Sequence, residues 1–302
     1  MNPGELPEQT QNSIEPEQLP EDWLQAPLQP PPVPSLAVYA VKHQQTRYAA
    51  VQVDPLWPRS FFSDQHPLHF QVEQPADVEE KLIWLQERLQ LQPGARVLDY
   101  NCGHGVYSQA LAEQGYWVVG TDASTHLLDE ARNRSIGKSS APLFVQTDLR
   151  SAAFIESFDA AYSLGYRFGF LDDQNAIQCL KNIAHCLRPN GCLVLHLLNR
   201  DALVSGLPTR QWWGDSSLAV HEEVWLHDLS SRVQVKQEIF SATRAQTQQQ
   251  YSLRVYSEHE LHGILSSLGF EILEISGAFF AKRAFFGVDS FDLVVVAQKK
   301  AP

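Results

Sequence analysis

The stretch ARVLDYNCGHGVYSQALAEQGYWVVGTD, residues 95–122, decides the fold of this chain. Its apolar beginning, 95–100, predicts a strand, and the periodicity of 106–114 predicts a helix. A second apolar run, 117–121, predicts another strand that leads into Asp122. The stretch is therefore typical of a strand–helix–strand unit in an α/β protein whose strands run parallel.

The turn between the first strand and the helix is a candidate ligand site. Gly103 and Gly105 have no Cβ, so a ligand can approach their backbone N–H groups closely. Asp122 ends the second strand, where folds of this kind place a carboxylate for the hydroxyls of a ribose. The pattern indicates a nucleotide-like ligand but does not name it, because several cofactors use such a turn.

Two residues narrow the choice of ligand. Dinucleotide sites place a third Gly or Ala three positions after the second glycine of the turn, but Ser108 stands there. Asp99, just before the turn, would repel a pyrophosphate but would tolerate the ammonium group of an amino acid, reached through water or backbone amides. Both residues favour a ligand with an amino-acid end, and they argue against a nicotinamide oxidoreductase.

The chain resembles class I S-adenosylmethionine-dependent methyltransferases over roughly residues 75–300. The motifs that carry the resemblance are VLDYNCGHG (97–105), VVGTDAS (118–124), VQTDLR (145–150), FDAAYSLGYRFGFLDD (158–173) and LRPNGCLVLHLLNR (187–200). It implies an α/β fold: a doubly wound, mostly parallel seven-stranded sheet in the order 3-2-1-4-5-7-6. One departure is Asn101, which replaces the family's usual first glycine; Asn tolerates left-handed backbone best among the other residues.

The resemblance makes S-adenosyl-L-methionine the expected cofactor and assigns its contacts. Asp122 would accept both ribose hydroxyls, and we expect it to be solvated without ligand. The adenine would lie beside Asp148, for which capping of the strand end is the structural alternative. The predicted cofactor-binding residues are Asp99, Asn101, Gly103, Gly105, Asp122, Ala123, Leu127, Asp148, Leu149, Leu164 and Gly165.

The acceptor side is less constrained, because an in-line methyl displacement needs orientation and a dry site rather than one universal catalytic residue. The predicted catalytic residues are Tyr166 and His221. The predicted substrate-binding residues are Arg167, Asn199, Trp212, Trp213, Arg254 and Tyr256. A surface ion pair is the alternative for Arg167, and anchoring of an insertion is the alternative for the tryptophans. His185 and His196 are interpreted as core or surface histidines.

The chain divides into four parts. Residues 1–35 hold nine of the eighteen prolines and no Lys or Arg, which predicts a disordered tail. Residues 36–73 are an N-terminal cap or an outer hairpin, two alternatives that remain open. Residues 74–302 form the methyltransferase domain. Within it, 201–256 alternate like antiparallel strands and are predicted to be a β-rich insertion over the acceptor site.

Composition limits the partners and the location. The formal charge of −12 disfavours nucleic acid as a partner, and no apolar run approaches the roughly 18 residues of a membrane helix. The start of the chain lacks a signal-peptide pattern. The four cysteines form no CxxC pair, so we expect reduced thiols, a cytoplasmic chain and no metal site.

Together these observations predict an enzyme, a methyltransferase that acts on an N, O or C atom of a small molecule or peptide. The alternative from another class is a non-catalytic cofactor-binding regulatory module, in which the bulky Tyr166 would close the acceptor pocket. The sequence leaves the acceptor and the oligomeric state open.

Overall fold

The structure is a computed structural model that describes residues 75–147, 154–214, 218–241, 246–279, 285 and 287–301. The predicted tail, the 36–73 extension, Asp148 and Leu149 lie outside these residues. The described chain forms two compact units. The larger unit contains 75–207, 226–234 and 251–301, and the smaller contains 208–225 and 235–250.

The elements follow one another in the predicted α/β order. The helices are α1 Pro75–Arg88, α2 Val106–Glu113, α3 Thr125–Ser135, α4 Asp173–Cys186, α5 Arg200–Gly206 and α6 Glu258–Ser267. The strands are β1 Arg96–Tyr100, β2 Trp117–Asp122, β3 Leu143–Gln146, β4 Phe158–Ser163, β5 Leu187–Leu198, β6 Thr209–Gly214, β7 Leu218–His227, β8 Arg232–Ser241, β9 Thr247–Arg254, β10 Phe270–Ser276 and β11 Asp292–Lys299.

Seven strands of the larger unit form one sheet in the order β10-β11-β5-β4-β1-β2-β3. Strands β1 to β5 pair in parallel, whereas β11 runs antiparallel to both β5 and β10. This confirms the predicted fold and strand order. The carboxyl ends of β1, β2, β4 and β5 therefore share one edge. Because β11 runs the other way, it begins at that edge, where Asp292 pairs with Leu198.

The sheet is buried on both faces, which explains why its strands read as continuous apolar runs. Val97 and Leu98 are neighbours in β1, are both fully buried, and pack into different clusters. Val194 and Leu195 in β5 divide between the two clusters in the same way. Since successive side chains of a strand point to opposite faces, each strand contributes to both cores.

Strand β5 begins earlier than predicted. The sequence pattern predicts a turn at 188–191 before a strand at 192–198. The structure instead pairs Leu187 with Phe158, and then Cys192 with Ala160 two residues further along β4. The predicted turn residues thus form an irregularity inside the strand, with Asn190 in left-handed backbone at a φ of 64°.

The insertion is β-rich, as predicted. The alternation indicates three strands, at 218–228, 232–242 and 249–256, and the structure contains a fourth. Strands β6 to β9 form a four-stranded sheet in sequence order, and β6 pairs antiparallel with β7. The missed strand is β6. Residues 209–213 are exposed, so β6 carries no alternation of buried and exposed side chains by which to recognise it. Of the helices in the described residues, none is long and apolar enough to cross a membrane.

Candidate functional site

The loop that follows β1 has the backbone of a ligand-binding turn. Asn101, Gly103 and Gly105 all adopt left-handed conformations, with φ of 58°, 54° and 67°. Asn101 thus takes the conformation predicted for it in place of a glycine. A Cβ at Gly105 would lie 2.6 Å from the Phe144 ring, so this position has no room for a side chain.

Asp122 joins the loop to the next helix. Its Oδ2 accepts a hydrogen bond from the backbone N–H of Gly103 at 2.9 Å, and its Oδ1 accepts one from Ser124 at 2.9 Å. Ser124 in turn caps α3. The expectation that ligand-free Asp122 is solvated is wrong, because the residue is 8% exposed. A carboxylate oxygen has two lone pairs, so both oxygens can still accept a hydroxyl.

Asp99 lies beneath the loop. It is 4% exposed and accepts a hydrogen bond from the Ser108 hydroxyl at 2.6 Å. Burial raises the pKa of Asp99 to about 6, although the Ser108 hydrogen bond opposes the shift. Ser108, the residue that argues against a pyrophosphate, therefore stabilises the charged form of Asp99. At neutral pH most of the Asp99 population is ionised.

Arg167 lies against the same loop. Its Nη1 donates to the Asn101 carbonyl at 3.2 Å and lies 4.0 Å from Asp122 Oδ2. A Cβ on Gly103 would be 1.7 Å from this Nη1, so the guanidinium covers the glycine directly. A ligand that binds on Gly103 must displace it. Arg167 is predicted to bind the substrate, whereas the structure brings it to residues predicted for the cofactor.

A second polar group lies at the same edge, where β4, β5 and β11 meet. The Tyr166 hydroxyl donates to Asp292 Oδ1 at 2.7 Å, and His196 Nε2 lies 3.4 Å from that oxygen. His196 Nδ1 accepts from the backbone N–H of Gly165 at 3.2 Å. We call Tyr166, His196 and Asp292 the edge triad. Sequence reasoning missed Asp292, because only the antiparallel course of β11 brings it beside β5.

Residues 97–191, which contain the loop, Asp122 and Tyr166, match the family model of a methyltransferase domain. The seven-stranded sheet has the order that the sequence motifs imply. The segment 97–191 is therefore a methyltransferase-domain match, and the fold is that of class I S-adenosylmethionine-dependent methyltransferases.

Similar proteins include a curated relative and solved structures. The glycine N-methyltransferase of Rattus norvegicus is 34% identical over 140 residues, which cover 42% of this chain and 48% of that protein. The match thus spans about half the length of this relative. An S-adenosylmethionine-dependent methyltransferase from Clostridium acetobutylicum ATCC 824 has a TM-score of 0.66 at 15% identity and covers 76% of this chain and 93% of that chain. S-adenosylmethionine-bound CalS10 from Micromonospora echinaspora, an amino pentose methyltransferase, has a TM-score of 0.56 at 17% identity, with coverage of 76% and 93%.

Four further residues predicted for the methyltransferase cofactor differ in exposure. Ala123 is exposed, and Leu127 is buried in the first turn of α3. Leu164 is half-buried, and Gly165 is exposed in left-handed backbone at a φ of 71°. Their contacts with a cofactor stay predictions.

Asn199 has a structural role that uses its whole amide. It is fully buried, and its Nδ2 donates to the carbonyls of Gly287 at 2.8 Å and Ser290 at 2.7 Å. Its Oδ1 accepts from the backbone N–H of Asp201 and caps α5. Since both amide hydrogens are engaged, Asn199 has no free donor for a substrate, and we do not propose it as an acceptor contact.

Arg254 and Tyr256 are also buried, at 7% and 2% exposure. Arg254 Nε pairs with Asp173 at 2.7 Å, and its Nη2 pairs with Glu260. The guanidinium lies 4.6 Å from the centre of the Tyr256 ring. Arg254 thereby joins the first turns of α4 and α6, and this arrangement favours a structural role over contact with a substrate.

The smaller unit carries the other predicted acceptor residues. Trp212 is 47% exposed and Trp213 is 40% exposed. The rings of Trp212 and His221 are 4.9 Å apart, and His221 Nδ1 lies 3.7 Å from Glu238 Oε2. Trp212, Trp213 and His221 belong to the paired strands β6 and β7. Their roles in acceptor binding and catalysis stay predictions.

The described residues contain no group of three or more His, Cys, Asp or Glu side chains that could hold a metal ion. The four cysteines are free thiols, and three of them are buried in the larger unit. Burial raises the pKa of Cys186 to about 11, so this thiol stays protonated at neutral pH and is a poor nucleophile and ligand.

Proposed function

We propose that this chain transfers a methyl group from S-adenosylmethionine to an N, O or C atom of a small molecule or peptide. One observation carries the proposal: the left-handed glycine loop and Asp122 are joined by a hydrogen bond at the carboxyl edge of the sheet. Parallel α/β sheets bind ligands at that edge.

The residues at the edge fit the cofactor. Asp122 retains lone pairs for two ribose hydroxyls, and the bare backbone of Gly103 allows close approach once Arg167 moves aside. The buried charge of Asp99 favours an ammonium group near the loop. When bound, the cofactor supplies a methyl group on a positively charged sulfur. The task of the protein is to orient an acceptor in line with that methyl and to exclude water.

Relatives and structural neighbours support a small acceptor. A similar protein from rat is a glycine N-methyltransferase, and a structural neighbour is an amino pentose methyltransferase. Another relative, from Haemophilus ducreyi, is an O-methyltransferase of ubiquinone biosynthesis, 34% identical over 113 residues. The names of these proteins indicate small-molecule acceptors, and they include both an N-methyltransferase and an O-methyltransferase.

Two measurements test the proposal. Titration calorimetry should show that the protein binds S-adenosylhomocysteine and does not bind NAD. A small-molecule extract incubated with methyl-labelled S-adenosylmethionine should then yield labelled products with the wild-type chain. Failure to bind S-adenosylhomocysteine would contradict the cofactor assignment. Binding without any labelled product would favour the non-catalytic regulatory module instead.

A further inference from the structure

The edge triad contains a charged group that the cofactor site does not use. Asp292 begins β11 at the carboxyl edge, and its side chain is 22% exposed, so a ligand can reach it. Tyr166 directly follows Leu164 and Gly165, which the family resemblance places under the sulfonium of the cofactor. The Asp292 carboxylate is therefore held by the side chain of the residue that follows Gly165.

We propose that Asp292 receives the acceptor and that the acceptor's nucleophile is an amine nitrogen. Tyr166 and His196 are positioning residues that hold the carboxylate. The inference deepens the proposed function and rests on it.

The Tyr166 hydroxyl holds the Asp292 carboxylate by a hydrogen bond, and His196 approaches the same oxygen at 3.4 Å without one. Since His196 Nδ1 accepts from the Gly165 N–H, the ring proton lies on Nε2, which faces Asp292. Tyr166 donates its hydroxyl hydrogen to the same carboxylate. Tyr166 does so from left-handed backbone, at a φ of 62°. A positive φ is uncommon in a bulky residue.

The charge state of Asp292 suits an amine. Burial by itself would raise the pKa of Asp292, but the neighbouring His196 and Tyr166, together with the charge of Lys81, outweigh it and hold this pKa below its usual range. Asp292 is therefore ionised at neutral pH. An ionised carboxylate attracts an ammonium group and stabilises positive charge that develops on a nitrogen.

The bound ammonium first loses one proton to solvent beside Asp292 and becomes a neutral amine. The nitrogen lone pair then forms a bond to the methyl carbon while the carbon–sulfur bond breaks, and its electron pair stays on sulfur. The positive charge passes from sulfur to the methylated nitrogen, next to the Asp292 carboxylate. The thioether leaves neutral.

An oxygen acceptor fits the triad less well. A hydroxyl must lose its proton during attack, which requires a base whose pKa is close to the working pH. The lowered pKa of Asp292 makes it a weak base, and Tyr166 is placed as a hydrogen-bond donor to the carboxylate. His196 offers no free lone pair, since Nδ1 already accepts from Gly165.

The test compares Asp292→Asn with Asp289→Asn, the same chemical change at an exposed residue three positions earlier. Each variant and the wild type receive methyl-labelled S-adenosylmethionine and a small-molecule extract, and mass spectrometry identifies the methylated atom. Purified glycine with glycolate, and glucosamine with glucose, serve as matched amine and hydroxyl probes. Calorimetry with S-adenosylhomocysteine measures cofactor binding in the same samples.

We expect the label on nitrogen, a loss of at least about 100-fold in kcat/KM for Asp292→Asn, and near wild-type activity for Asp289→Asn. Affinity for S-adenosylhomocysteine should stay within about threefold of wild type in both. Tyr166→Phe should lower kcat by roughly tenfold and raise the KM for the amine, whereas a merely structural residue would change stability alone. Label on oxygen or carbon, or equal activity of the two Asn variants, would overturn the inference. A wild-type chain that binds S-adenosylhomocysteine but labels nothing would overturn the proposed function first.

Discussion

Replacing Asp122 with alanine separates its two roles. In the structure each carboxylate oxygen accepts one backbone N–H, from Gly103 and from Ser124, both at 2.9 Å. In the bound state we propose that the same oxygens also accept the ribose hydroxyls. The alanine variant removes all four hydrogen bonds, so we expect both ligand affinity and stability to fall.

The hydrogen bonds and the burial of Asp122 set the expected losses of ligand affinity and of folding stability. Hydrogen bonds to a charged group contribute about 1.5–3 kcal/mol each. Because water replaces part of each lost hydrogen bond, the loss of two such bonds should cost about 2–4 kcal/mol of binding free energy. That is a fall in affinity of roughly 30- to 1,000-fold. Because Asp122 is buried, the free energy of unfolding should also fall, by about 1–3 kcal/mol, which lowers the Tm by about 2–4 °C per kcal/mol.

Calorimetry with S-adenosylhomocysteine and urea unfolding measure the two effects. Asp129→Ala is the matched control, because Asp129 is an exposed acid on α3 whose ion pair within the described residues is a local one, with Arg132. It should leave affinity unchanged and stability nearly so. If Asp122→Ala bound S-adenosylhomocysteine as tightly as the control, the assignment of Asp122 to the ribose would be refuted. Unchanged stability would show that the two backbone N–H groups find other partners.

Three further predictions concern other parts of the chain. Arg167→Ala should tighten S-adenosylhomocysteine binding several-fold in calorimetry, because the guanidinium covers Gly103; weaker binding would show that it pairs with the ligand's carboxylate. A variant that begins at Ser35 should keep the wild-type Tm and cofactor affinity, since the residues before it cannot bury enough apolar surface to fold; a loss of several degrees would show that they pack on the domain. Hydrogen exchange in 201–256 should slow when cofactor and acceptor are both present, and protection confined to the first half of the sheet would argue against an acceptor role for the insertion.

The local sequence determined those elements of this protein that depend on interactions between residues close together in the chain. The apolar runs and glycines of 95–122 specify a strand, a left-handed turn, a helix and a second strand, because each depends on residues close together in the chain. Asn101 illustrates this, since its tolerance of positive φ was predicted from its type and is observed at 58°. The acid at the end of β2 was likewise predictable, because parallel strands bring their carboxyl ends to one edge.

The tertiary structure alone decided which distant side chains meet. Arg167 contacts the Asn101 carbonyl across 66 residues of sequence, and Tyr166 meets Asp292 across 126. Neither pair has a local signal, since each depends on the order of the strands and, for Asp292, on the reversed direction of β11. The burial of Asp122 belongs here too, because whether a strand-end acid is solvated depends on how the loop and α3 close around it. Periodicity specifies a residue's element and face, but its partners follow from how the elements pack.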